Sequence, residues 1–180
     1  AVQYAHARGV VHRDLKPGNV ILATEAVASR DTKRTADLDL LTPKLTDFGL
    51  ARIDDGSEGT RTGAILGTPA YMSPEQAEGC TEKIGPASDI YSLGAVLYEL
   101  LTGRPPIVGA NDADTLRRIL TDDPQPPSQR CVQVPRDLGA IVMKCLARSA
   151  DRRYRTADEF AVLIPNIPKI VFSRTLSQVN

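Results

Sequence analysis

Residues 88–103 read SDIYSLGAVLYELLTG, and they restrict the fold more than any other stretch. Wound at 3.6 residues per turn, the segment is apolar on most sides and stops at Gly103, with Pro105 and Pro106 just beyond. A helix with so little polar surface belongs in the middle of a domain, with other elements packed around it. It does not belong in a bilayer: its strongly apolar part, LGAVLYELL (93–101), is too short to span one and contains Glu99. The chain therefore has to supply a shell, and 180 residues are enough for one domain with a sizeable core.

The shell is mostly helical. Residues 1–8 form the last turns of a helix, with Gly9 as its left-handed stop. Ser73-Pro74-Glu75-Gln76 is a helix start, with Ser as N-cap, Pro at the first position and Gln in the capping-box slot. Further helices are expected at about 112–121, 136–147 and 157–164, the last with Thr156 and Glu159 as a capping box. VVH (10–12), NVILA (19–23) and PKLTD (43–47) read as short strands, and residues 24–42 between the last two as a surface insertion. The expected class is mainly α with an α+β flavour. Lys plus Arg equals Asp plus Glu, 22 each, so charge offers no hint of a nucleic-acid or membrane partner. Cys80, Cys131 and Cys145 are odd in number and lack metal-ligand spacing, as expected of free thiols in a reducing cytoplasm.

Against this background VVHRDLKPGNVIL (10–22) is unusual, because it sets His12, Arg13, Asp14, Lys16 and Asn19 between segments that want burial. A carboxylate on a loop between strands can accept a proton from an attacking hydroxyl, a role open to Asp14. Asn19 offers a hard amide oxygen suited to magnesium, and Lys16 a point charge able to steady a phosphate. Asp47 stands at the end of the next strand; it and Asn19 could share a magnesium ion if the two strands pair.

Taken together, HRDLKPGN (12–19), DFG (47–49) and SPE (73–75) resemble, in order, the catalytic loop, the magnesium-binding loop and the Ala-Pro-Glu motif of eukaryotic-type protein kinases. Asp89 matches the buried aspartate of their central helix. GTPAYMSPEQA and YSLGAVLYELLTGRPP are most similar to bacterial serine/threonine kinases. The resemblance runs from residue 1 to about 164 and implies the helical large lobe of a kinase, with short β-hairpins around the catalytic loop and an activation segment over 47–75. It implies ATP and Mg²⁺ as cofactors and protein Ser/Thr hydroxyls as substrates. Asp14 would be the catalytic base and Lys16 would contact the transferring phosphoryl group. Asn19 and Asp47 would hold magnesium, and Ile21 would floor the adenine site. Thr68, like Lys16, marks the serine/threonine branch and its substrate loop. His12, Phe48, Gly49 and Asp89 would be structural, and Glu75 would pair with Arg153. Arg13 would meet a phosphorylated activation loop, with Thr60 and Thr62 at matching positions.

The sequence opens mid-helix without Met, so it is expected to be truncated, lacking the kinase's small N-terminal lobe with its glycine-rich loop and lysine. Alone it is expected to bind ATP poorly and transfer little. A non-catalytic relic serving as a protein-binding module is the alternative. Residues 165–180 are expected to lie outside the kinase unit. PKIVFSRTL (168–176) resembles a segment of dihydrofolate-reductase-like and riboflavin-biosynthesis reductase domains, but it is too short to fold as one and could equally be linker.

Overall fold

The computed structural model describes residues 1–24, 41–48 and 68–164. Gly49, Thr60, Thr62, the tail 165–180 and all of the expected insertion except its ends lie outside the described residues.

The apolar stretch forms a helix, α3 (Pro86–Thr102), closed by Gly103 in the left-handed region at φ 78°. Ile90, Ala95 and Tyr98 have no exposed surface. Around them pack Leu138, Val142 and Cys145 of α6 (Arg136–Cys145), with Tyr154 and with Phe160 of α7 (Ala157–Leu163). The i, i+4, i+7 spacing of Leu138, Val142 and Cys145 puts all three on the inner face of α6. Gly94 is where the two helices meet: a Cβ there would lie 2.4 Å from Cys145 Cβ, so only glycine permits the approach.

A second cluster joins Met72 and Ile107 to Leu116 and Ile119 of α4 (Asp112–Thr121). Asn111 caps α4, its side chain accepting the Asp114 N–H at 2.9 Å. A third cluster joins Val2 of α1 (Val2–His6) to Leu15 and to Ala157 of α7. Gly9, at φ 73°, ends α1 as expected. α2 (Pro74–Ala77) starts where the Ser-Pro-Glu-Gln signal placed it, and Gln76 Oε1 accepts the Ser73 N–H at 3.0 Å. At α7 the expected reciprocal box is only half present. Thr156 accepts the Glu159 N–H, but Glu159 reaches past it to the N–H of Arg155.

β1 (Val20–Thr24) and β2 (Leu41–Leu45) pair antiparallel, with Val20 opposite Leu45 and Thr24 opposite Leu41. The two ends of the expected insertion thus belong to the hairpin. VVH (10–12) is not a strand, a correction to the sequence reading. Its His12 N–H goes to the Asp89 carboxylate, so a side chain takes the place of a ladder partner. A short helix, α5 (Pro127–Arg130), and 3₁₀ turns at Pro17–Asn19, Pro69–Tyr71, Thr81–Lys83 and Ala150–Arg152 were not legible in the sequence.

Candidate active site

The charged stretch crosses the N-terminal end of α3, where Asp89 sits in the first turn. A carboxylate is favoured there by the helix dipole. Asp89 is 1% exposed. Its Oδ2 accepts the His12 N–H at 2.8 Å and its Oδ1 the Arg13 N–H at 2.9 Å. Arg13 is left-handed, at φ 68°, which costs a non-glycine residue roughly 1–2 kcal/mol. That cost is offset from both sides of the residue, because the Arg13 carbonyl also accepts Gln76 Nε2 at 2.6 Å. Gln76 is a site residue that sequence reasoning absorbed into helix capping; its second bond had no local signal.

The bend at Arg13 presents Asp14. Asp14 Oδ2 takes Lys16 Nζ at 2.8 Å and Asn19 Nδ2 at 3.2 Å. Among the described residues its Oδ1 takes no donor. Asn19 Nδ2 also bonds the Asp14 carbonyl at 2.8 Å, so the amide nitrogen is spent on the loop and Oδ1 is the atom Asn19 can offer a cation. The Asn19 carbonyl accepts the Thr46 N–H at 3.0 Å, extending the hairpin by one pair. The next residue, Asp47, is left-handed at φ 58°. The condition set from sequence is thereby met: the two strands pair, and they carry Asn19 and Asp47 to the same end of the hairpin.

His12 Nε2 donates to the Thr46 carbonyl at 3.0 Å, and Nδ1 accepts the Asp14 N–H at a long 3.4 Å. The His12 and Phe48 rings stack tilted, with centroids 4.6 Å apart. Asp89, His12 and Phe48 thus form one continuous contact. Ile21 is exposed on the hairpin. Thr68 is exposed too, at the start of a turn tied to α3 through Ser92 Oγ on the Tyr71 carbonyl and Tyr71 Oη on Glu99. Burial, with Glu99 adding to it, holds the Tyr71 hydroxyl well above its ordinary range.

Glu75 and Arg153 meet as expected, in a bidentate pair at 2.8 and 2.9 Å. Arg153 also donates to the carbonyls of Ala147, Ala87 and Arg148, so all five of its N–H groups are used. Burial alone would raise the Glu75 carboxyl, but hydrogen bonds from Arg153 and Ser88 outweigh it and hold the group below its ordinary value. An open cleft bordered by Asp123, Lys144, Arg148 and Arg152 contains none of these site residues.

A helical body built on one central buried helix, with a charged loop and hairpin held at its N-terminal end, defines a protein-kinase-like fold. The protein kinase domain family model matches residues 1–161, and the chain belongs to that family. It is 41% identical over 181 residues to the serine/threonine-protein kinase PknB of Mycobacterium leprae, covering 95% of this chain and 26% of that protein. It is 41% identical over 162 residues to PknB of Mycobacterium tuberculosis, covering 88% and 23%. A probable serine/threonine-protein kinase of Streptomyces coelicolor is 40% identical over 164 residues, covering 90% and 22%. The chain thus spans about a quarter of the length of the curated relatives it matches, and they place it with the bacterial serine/threonine kinases. No helix among the described residues is long and apolar enough to cross a membrane.

Proposed function

We propose that residues 1–164 are the large lobe of an ATP- and magnesium-dependent kinase that phosphorylates Ser and Thr hydroxyls of proteins. One observation carries the reading. Asn19 bonds the Asp14 carboxylate through its side chain and Thr46 through its backbone, so a base and two hard oxygen ligands form one unit. The donor set fits magnesium, which takes one or two carboxylates and further oxygens and does not need soft ligands. Asn19 and Asp47 would hold it. Bound ATP supplies the phosphoryl group and its leaving group, with magnesium neutralising their charge.

The chain's own residues do the rest. Asp14 Oδ1, the oxygen without a donor among the described residues, takes the proton of the substrate hydroxyl and orients it. Lys16, on Asp14 Oδ2, brings a positive charge to the transferring group. Ile21 gives adenine an apolar floor, and Thr68 lies where the substrate segment binds. Arg13 Nε is buried with no partner among the described residues, which suits a side chain awaiting an anion. A phosphate on Thr60 or Thr62 is that anion in this reading, and it would order the activation segment. Ile21 and Leu22 are adjacent on a strand and so face opposite ways, yet both are more than half exposed. Uncovered apolar surface of this kind suits contact with nucleotide and with a small lobe, so the chain alone is assigned weak ATP binding and little transfer. Its place of work in this reading is the cytoplasm, where ATP is found.

The test is phosphoamino-acid analysis of a mixed protein substrate after incubation of the full-length protein with magnesium and γ-labelled ATP. Label on Ser or Thr is expected. Label confined to Tyr, or none, overturns the proposal.

A further inference from the structure

Among the described residues Asp89 has three donors, and two of them belong to the catalytic loop. The third is His6, whose Nε2 lies 2.7 Å from Asp89 Oδ2. The two side chains are 5% and 1% exposed. His6 stands in the last turn of α1, and its place there is closed off by the Gly9 N–H on the His6 carbonyl and the Val10 N–H on Ala5, both at 3.0 Å. α1 is itself pinned, because Gln3 Oε1 accepts the N–H of Ala157 at 3.1 Å and Val2 is buried against Leu15 and Ala157. The imidazole is therefore a fixed donor, held from behind by packing.

That donor has a geometric consequence. Oδ2 of Asp89 already takes the His12 N–H, and Oδ1 takes the Arg13 N–H. With His6 on Oδ2, the carboxylate has one orientation in which each oxygen meets one loop amide. Without it, a buried carboxylate loses one of three donors and is freer to turn about its last bond. His6 Nδ1, moreover, is buried with no partner among the described residues. An unpaired buried nitrogen costs stability that an apolar side chain of similar size would avoid, so packing alone does not account for a histidine here.

We propose that His6 is a positioning residue for phosphoryl transfer, acting through Asp89 on the left-handed Arg13 and so on the direction of Asp14. The rate effect rests on the proposed kinase function; the geometric effect does not.

The test uses the full-length protein with His6→Leu, which removes the donor, and His6→Gln, which returns an N–H at similar reach. In His6→Leu the His12 and Arg13 amides should exchange hydrogen about tenfold faster or more, with α6 unchanged. Its kcat should fall about ten- to a hundredfold while KM for ATP stays within about twofold, since a misaimed base slows the chemical step and leaves nucleotide contacts alone. His6→Gln should recover kcat to within about threefold of the parent, because a positioning role needs only the N–H. Should His6→Leu fail to fold, His6→Asn, too short to reach Asp89, replaces it with the same expected result. Unchanged amide exchange in the donor-less variant, or a folded His6→Gln that behaves like it, overturns the positioning role. Exchange that follows His6 in a protein with no transferase activity upholds the positioning and overturns the proposed function instead.

Discussion

Truncating Glu75 to alanine should be one of the most damaging single changes in this domain. The Arg153 side chain has no exposed surface, and two of its five hydrogen bonds go to the Glu75 carboxylate. Removing that carboxylate leaves a buried guanidinium facing only three backbone carbonyls, and breaking such a pair from one side costs about 3–5 kcal/mol. Arg153→Ala should cost more. It strands Glu75 with the Ser88 hydroxyl and also leaves the carbonyls of Ala87, Ala147 and Arg148 short of a donor, each worth about 1 kcal/mol or more. The double variant should cost less than the sum of the singles, with a coupling energy of about 3 kcal/mol. Urea unfolding followed by far-UV circular dichroism reads all four corners of the cycle. A cost for Glu75→Ala below about 1 kcal/mol, the range of an exposed pair, would refute the reasoning. Acid adds a second arm. Because the Glu75 carboxyl is held below its ordinary value of 4.5, its stabilisation is fully present above pH 4.5 and is lost as pH falls through the folded value. The parent should therefore lose more stability than Glu75→Ala across that window.

Gly94→Ala places a methyl 2.4 Å from Cys145 Cβ and should force α3 and α6 apart, lowering stability by about 1–3 kcal/mol in thermal melts. Adding Cys145→Gly, which removes that Cβ, should recover part of the loss, whereas Cys145→Ala should not. Burial pushes the Cys145 thiol up to about 12, so iodoacetamide should label the half-buried Cys80 and Cys131 in the native protein and reach Cys145 only on unfolding. Mass spectrometry of the alkylated peptides decides it, and early labelling of Cys145 would contradict the packing described.

What the sequence made legible was whatever a local pattern encodes. The all-round apolarity of residues 88–103 placed the central helix, Gly103 ended it, and Ser73-Pro74 started α2. Glu75 and Arg153 could be paired only through the family resemblance, and the three carbonyls that complete Arg153 had no signal, since a backbone acceptor has no residue type. The β-branched Val10-Val11 run suggested a strand, but the Asp89 carboxylate took up the His12 N–H, a contact across 77 positions in sequence. Nothing local marks His6, since one histidine in the last turn of a short helix carries no sign of its partner. Only the fold shows that its ring nitrogen meets Asp89.

The most direct test of the account is phosphoryl transfer to a generic serine/threonine substrate, with magnesium and ATP, by the full-length protein, by this chain alone and by each with Asp14→Asn. The account predicts transfer by the full-length protein, little from the chain alone, and a fall of about a hundredfold or more in the variant, whose amide cannot serve as the base. Transfer that survives Asp14→Asn unchanged would contradict it.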